Sequence, residues 1–217
     1  MRGGDVVDLA ELLCARLCHD LAGAIGAVGT GAELLADDGM DAASSAEALA
    51  LLASSAAVAG NRLRFLRLAL GSGGSSVVTA QLRELALGFV GGGAGGSLTL
   101  RLDWPEAGDE SWPADAAKLL LNLVLLAQDC LPRGGDIAVR TRPAAGVLAS
   151  VIAAGNGAAA GDAVAGLSAG GSAGLGPRSA QGYYSARLAA RLGLAVQCSN
   201  EGGRVVLLAA AARPSKE

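Results

Sequence analysis

The side chain best suited to chemistry in this sequence is its single histidine, His19. Imidazole is nucleophilic near neutral pH because much of it is unprotonated there. An acidic residue, Asp20, follows directly, and Arg16 stands one helical turn before it. Asp20 is placed to orient the second ring nitrogen, directly or through an Arg16–Asp20 pair, and Arg16 to offer charge to an incoming anionic group. An ordinary surface ion pair between Arg16 and Asp20 is an equal alternative.

The segment around His19 has helical periodicity, and its pattern predicts that the histidine faces solvent. The apolar positions fall within about 40° of one line on a helical projection, and they are Leu13, Leu17, Leu21, Ala24, Val28 and Leu35. His19 projects about 160° from that line. Its neighbours on the same face are small, namely Ala15, Ala22, Gly23 and Gly26. We therefore expect a cleared face that another protein can approach closely; a plain surface histidine is the alternative.

The cysteines raise a second possibility, that this helix binds a metal ion. Cys14 and Cys18 are close in sequence to His19. On a helix the two cysteines project about 100° or more away from the histidine, so the three cannot converge on one ion. Neither these nor the remaining cysteines, Cys130 and Cys198, show the spacing of a disulfide framework. We expect no metal.

Composition favours a folded protein without a nucleic-acid or membrane role. The 217 residues are 52% hydrophobic and 17% charged, and the formal net charge is −3. This chain can bury a core, and its charge gives no reason to expect nucleic acid or a membrane surface. Acidic residues interrupt the first apolar stretch, and no long apolar run is free of charges and glycine clusters, which argues against a secretory signal and a membrane span. We expect a cytoplasmic protein.

The first domain, residues 1–72, is predicted to be a helical hairpin. Helix one covers 6–36 and ends at an acidic, glycine-containing turn over 37–41. Helix two carries an a/d heptad pattern at Leu49, Leu52, Ala56, Ala59, Leu63, Leu66 and Leu70. Two such hairpins from two chains would bury their stripes in a four-helix bundle, so we expect a homodimer. A solitary hairpin covered by the second domain is the alternative.

The second domain, residues 77–213, follows a glycine- and serine-rich joint over 71–76. Its pattern predicts a glycine-rich loop that ends at Gly176, together with helices over 80–90, 114–131 and 179–192 and strands over 97–104, 136–142, 147–154, 194–199 and 204–211. Helices against one antiparallel or mixed sheet make an α/β sandwich of the α+β class. The complete fold class is thus an α-helical hairpin followed by an α+β domain.

Three stretches of the chain resemble a known family. ARLCHDLAGAIGAVGTGAELL, KLLLNLVLLAQDCLPRGG and QGYYSARLAARLG resemble the ChpT-type histidine phosphotransferases of bacterial phosphorelays. The His-Asp pair resembles the phosphoacceptor box of histidine-kinase dimerisation helices, and the second domain resembles the Bergerat-type ATP-binding domain of those kinases. The resemblance implies a homodimer in which His19 accepts phosphate from the receiver domain of a hybrid kinase and passes it to response regulators.

The second domain departs from a working kinase at the residues that would bind nucleotide. Leu126 stands where those kinases carry a magnesium-binding asparagine, and a leucine cannot coordinate a hard cation. Ala153 stands where they carry the aspartate that binds adenine. The run over 170–176 resembles a phosphate-binding glycine loop, but a plain connector explains it as well. We expect a degenerate domain that binds no cofactor, with magnesium supplied by the partner receiver.

The sequence therefore favours a histidine phosphotransferase over two alternatives. An active histidine kinase is opposed by Leu126 and Ala153. A non-catalytic dimeric adaptor that docks receivers is opposed by His19, its acidic neighbour and the face formed by Ala15, Ala22, Gly23 and Gly26.

Overall fold

The computed structural model of the protein describes residues 3–36, 39, 41–72, 74, 76–91, 99–105, 109–142 and 144–212. Most of the turn expected over 37–41, part of the joint over 71–76 and the start of the strand expected from 97 lie outside these residues.

Two long helices form the predicted hairpin. Helix α1 is Gly3–Leu35 and helix α2 is Ala42–Leu70. Asp41 begins α2, because its carboxylate accepts a hydrogen bond of 2.7 Å from the backbone N–H of Ser44. The two helices approach closely where α1 carries Gly31: a Cβ there would lie 3.0 Å from that of Leu52.

The second domain contains four further α-helices, one short 3-10 helix (Gly166–Ser168) and seven strands within the described residues. The α-helices and strands are, in chain order, β1 (Val77–Val78), α3 (Thr79–Gly91), β2 (Leu100–Asp103), β3 (Ser111–Trp112), α4 (Ala114–Asp129), β4 (Gly135–Thr141), β5 (Val147–Ala154), α5 (Asp162–Ala165), α6 (Pro177–Arg191), β6 (Leu194–Glu201) and β7 (Arg204–Ala211). The sequence pattern did not predict β1, β3 or α5, which are too short to show a period.

The main sheet is mixed, one of the two forms that the sequence pattern left open. Its five strands lie in the order β2-β4-β5-β7-β6, with β2 parallel to β4 and the other neighbours antiparallel. Helix α4 packs on this sheet and is buried on every side from Ala116 to Ala127. This explains why α4 reads as a continuous apolar run rather than as an amphipathic helix. The fold class is confirmed as a helical hairpin followed by an α/β domain.

The hairpin and the second domain share one hydrophobic core. Phe65, Leu66 and Ala69 near the end of α2 are fully buried in the cluster that α4 and the sheet also form. Phe65 stacks on Phe89 of α3, with ring centroids 4.0 Å apart. Near the N-terminus of α1, Leu9 packs against Ala180 and Tyr183 of α6. The second domain therefore covers part of α1, and this positions the site described below.

Helices α1 and α2 are each long and apolar enough, by length and composition alone, to cross a membrane. Two such helices are weak evidence for a membrane protein. In this structure Arg16 of α1 pairs with Asp129 of the second domain, and α2 ends inside the shared core.

Candidate functional site

His19 lies near the middle of α1, and its side chain is 77% exposed. The expectation that it faces solvent is confirmed. Its Nδ1 lies 3.3 Å from Oδ1 of Asp20, so the carboxylate can accept a hydrogen bond from Nδ1–H. When Nδ1 carries the proton, Nε2 keeps its lone pair and is the nucleophilic atom. Among the described residues, no hydrogen bond engages Nε2.

Arg16 does not lie at the surface, contrary to the helical projection. Its side chain is only 7% exposed, and its Nε donates to Oδ2 of Asp20 at 2.8 Å. The two terminal nitrogens donate to both carboxylate oxygens of Asp129, at 2.9 Å each. Two carboxylates therefore neutralise the guanidinium, and it is no free cation for an incoming phosphoryl group. The projection failed because it considered one apolar face, whereas the second domain also covers this side of α1.

Arg62 of α2 was not predicted as a site residue. Its guanidinium donates a hydrogen bond of 2.6 Å to the backbone carbonyl of Asp20. Asp20 is thus held from both helices of the hairpin, through its side chain by Arg16 and through its backbone by Arg62. An arginine in helix two gives no signal in the sequence, because nothing in its spacing shows which carbonyl it will reach.

The small residues around His19 form an exposed face in the structure, as the helical projection predicted. Ala15, Ala22, Gly23 and Gly26 are all exposed. A Cβ added at Gly23 or at Gly26 would have no heavy atom within 4 Å. These two glycines therefore do not serve close packing within the chain, in contrast to Gly31, where a Cβ would press on Leu52.

A cleft of about 1310 Å³ opens beside His19, between α1 and the second domain. Its lining includes His19, Asp20 and Arg62 from the hairpin. The glycine-rich loop contributes Gly174 and Gly176, and Arg178 follows in the first turn of α6. The loop singled out in the sequence thus lies on the same side of the molecule as the histidine, rather than at a separate nucleotide site.

Leu126 and Ala153 stand where the kinases that the second domain resembles hold magnesium and adenine, and neither side chain fits these ligands. Leu126 and Ala153 are both fully buried in the hydrophobic core. The nearby Asn122 is also buried, and its amide donates to the carbonyls of Ala69 and Lys118 while its oxygen accepts from Gln181. Asn122 therefore joins α2, α4 and α6 inside the core, and its amide oxygen is already engaged by Gln181. Among the described residues, no group of His, Cys, Asp and Glu is arranged to hold a metal.

An exposed histidine on a helical hairpin that is packed against an α/β domain defines a two-domain architecture, and comparison with known proteins gives its family. The family model "Histidine phosphotransferase C-terminal domain" matches residues 79–204, more than half of the chain. The chain belongs to this histidine phosphotransferase family, as the sequence resemblance implied.

Two individual proteins show how far the similarity extends. Protein phosphotransferase ChpT of Brucella abortus (strain 2308) is 38% identical over 141 residues, which make up 62% of this chain and 61% of that protein. The matched region thus spans less than two thirds of this curated relative. The structure of a bacterial phosphotransferase superposes with a TM-score of 0.75 at 28% identity, covering 94% of this chain and 96% of that one.

Proposed function

We propose that this protein is a phosphorelay histidine phosphotransferase that carries a phosphoryl group on His19. It accepts the group from the phospho-aspartate of a hybrid kinase receiver domain and passes it to the aspartate of response regulators. The observation that carries this proposal is the exposed imidazole with Asp20 at its Nδ1. Family membership and the similarity to ChpT support it.

In the proposed step, the Nε2 lone pair attacks phosphorus and forms a P–N bond, while the P–O bond to the donor aspartate breaks and its carboxylate leaves. The second transfer is the reverse step on another receiver. The Nδ1 proton faces Asp20, which stabilises the positive charge that develops on the ring. Magnesium comes with the receiver domain, so this chain needs no metal or nucleotide of its own.

A receiver can approach His19 closely because the surrounding residues are small, namely Ala15, Ala22, Gly23 and Gly26. A receiver must bring its aspartate to within bonding distance of Nε2, and small residues leave the backbone accessible around the ring. Neither glycine has an internal packing contact that accounts for its presence in the helix. A helix-interior glycine costs about 1 kcal/mol relative to alanine, and docking is a reason to keep it.

The second partner is another copy of this chain. Leu49 and Leu63 of the heptad line remain 57% and 52% exposed in the single chain. Ile25 and Leu34 of α1 are exposed as well. Isolated apolar residues at a surface are common, but a repeated line along a helix favours a helix–helix interface. A four-helix bundle formed by two hairpins covers this line, and we place the dimer in the cytoplasm, where its receiver partners act.

Phosphate transfer from a labelled receiver tests the function. Wild-type protein mixed with a phosphorylated receiver should acquire label, and ATP alone should give none. His19→Ala should abolish labelling, because the chain has no other histidine. The variant should keep its fold, since surface changes usually alter the free energy of unfolding by less than about 0.5 kcal/mol.

The matched control is Glu11→Ala, another exposed residue of α1, which should label like the wild type. Label that persists in His19→Ala would show that the nucleophile is another residue. Label from ATP alone would make the protein a kinase.

A further inference from the structure

Asp129 connects the second domain to the histidine helix. It is the last residue of α4 and lies 113 positions from Arg16 in the chain, yet both of its carboxylate oxygens accept hydrogen bonds of 2.9 Å from the guanidinium. A bidentate pair of this kind fixes the plane of the guanidinium as well as its position. The side chains are 7% and 15% exposed, so this is a largely buried pair.

The charges at this contact depend on each other. Burial alone would lower the pKa of Arg16, but the hydrogen bonds and charges of Asp129 and Asp20 outweigh it and raise that pKa. Burial raises the pKa of the Asp129 carboxyl, and the hydrogen bonds from Arg16 oppose this rise. Arg178, in the first turn of α6, adds a weaker attraction to Asp129. Loss of Arg16 would leave the buried Asp129 carboxylate without its hydrogen-bonded counter-ion, whereas loss of Asp129 would leave Arg16 paired with Asp20 alone.

The same guanidinium also controls Asp20. Its Nε donates to Oδ2 of Asp20 at 2.8 Å, while Oδ1 of that carboxylate faces Nδ1 of His19 at 3.3 Å. One oxygen of Asp20 is thus held by Arg16, and the other is directed at the imidazole. The plane of the Asp20 carboxylate, and with it the ring tautomer that Asp20 favours, depends on where Arg16 sits.

We propose that Asp129 is a positioning residue for phosphoryl transfer, acting on His19 through Arg16 and Asp20. The inference rests on the proposed role of His19. It gives the second domain a part in the reaction. Asp129 at the end of α4 holds Arg16, and Arg16 orients the Asp20 carboxylate. The orientation of that carboxylate then selects the tautomer of the His19 ring. Asp129 touches neither the phosphoryl group nor the ring.

The tautomer can be observed directly, because His19 is the single histidine of the chain. With ring-¹⁵N-labelled histidine, one pair of nitrogen resonances reports the protonation of Nδ1 and Nε2 without any receiver present. In the wild type we expect neutral His19 to carry its proton mainly on Nδ1. In Asp129→Asn the resonances should move toward the mixture of tautomers seen in a solvent-exposed histidine peptide.

Transfer kinetics give the second measurement. In Asp129→Asn the rate of phosphoryl transfer at saturating receiver should fall about tenfold, while the receiver concentration at half-maximal rate should stay within about twofold of wild type. Asp129→Glu keeps the carboxylate and should recover most of the rate. Asp115→Asn is the matched control: it removes an ion pair of 3.0 Å to Arg191 at the other end of α4, away from α1, and should leave both tautomer and rate unchanged.

Each outcome decides the proposal. If Asp129→Asn retains the wild-type tautomer and rate, or shares its defect with Asp115→Asn, Asp129 only holds the structure together and the proposal is wrong. If Asp129→Asn does not fold, Arg16→Lys replaces it, since a lysine keeps the charge but cannot hold both carboxylates in one plane. The same tautomer change is then expected, and a wild-type tautomer refutes the proposal. Because the tautomer is measured without phosphate, this result is separate from the labelling of His19→Ala.

Discussion

Replacing Gly26 with alanine should stabilise the protein, and replacing it with tryptophan should impair docking of a receiver. Gly26 is exposed, and a Cβ there meets no heavy atom within 4 Å. Glycine in a helix interior is less favourable than alanine by about 1 kcal/mol. The alanine variant should therefore gain about that free energy of unfolding, which corresponds to a rise in Tm of about 2–4 °C for a chain of this size.

Tryptophan at the same position tests whether the face of small residues around His19 is the docking surface for a receiver. Gly26 lies seven residues after His19, which places it on nearly the same side of α1 and about 10 Å along the helix axis. The indole would extend into solvent, so the fold should tolerate it. A receiver that approaches His19 would meet it. We expect the receiver concentration at half-maximal transfer to rise at least about tenfold, a loss of about 1.4 kcal/mol in binding, with the maximal rate little changed.

Thermal unfolding and single-turnover transfer measure the two effects. Gly91→Trp is the control, because Gly91 ends α3, is exposed and also has no heavy atom within 4 Å of its Cβ position. It should transfer like the wild type. If Gly26→Trp docks and transfers normally, the cleared face is not the docking surface. If Gly26→Ala lowers Tm, the glycine serves a structural role that the geometry does not show.

Three further predictions concern the dimer, the nucleotide and the cysteines. The double variant Leu49→Lys, Leu63→Lys should sediment as a folded monomer. The control Leu87→Lys, at an exposed leucine of α3, should remain a dimer. A wild-type protein that sediments as a monomer at micromolar concentration would contradict the four-helix bundle. Calorimetric titration with magnesium-ATP should give no saturable heat up to about 1 mM, which means a binding free energy weaker than about −4 kcal/mol. Binding at micromolar concentration would refute the interpretation that the domain is degenerate. The three exposed cysteines should react with maleimide in the native protein. Cys130, whose thiol pKa burial raises to about 12, should react only after unfolding, and early labelling of Cys130 by mass spectrometry would contradict its burial.

The structure changes which leucines are useful for the dimer experiment. The heptad pattern alone selects Leu63 and Leu66 as neighbours on one stripe. Leu66 is fully buried in the core shared with the second domain, whereas Leu63 is half exposed. A charge at Leu66 would unfold the chain and leave the dimer untested. A heptad shows that a helix has an apolar stripe but does not show what covers each part of it.

The sequence alone determined the hairpin, the succession of the main strands and helices along the chain, and the exposure of His19. These depend on local periodicity, which is written in residues a few positions apart. Strand β5, over Val147–Ala154, was predicted with the bounds that the structure shows. The histidine could be placed because one helical projection is enough to separate it from the apolar stripe.

Only the tertiary structure decided how the helical turn that carries His19 and Asp20 is held. Arg16 was expected at the surface and is buried, because Asp129 approaches it from a helix that begins almost a hundred residues later. Arg62 reaches the carbonyl of Asp20 across the hairpin. Contacts between residues far apart in the chain follow from how whole elements pack, and neither the spacing nor the type of one residue specifies its distant partner.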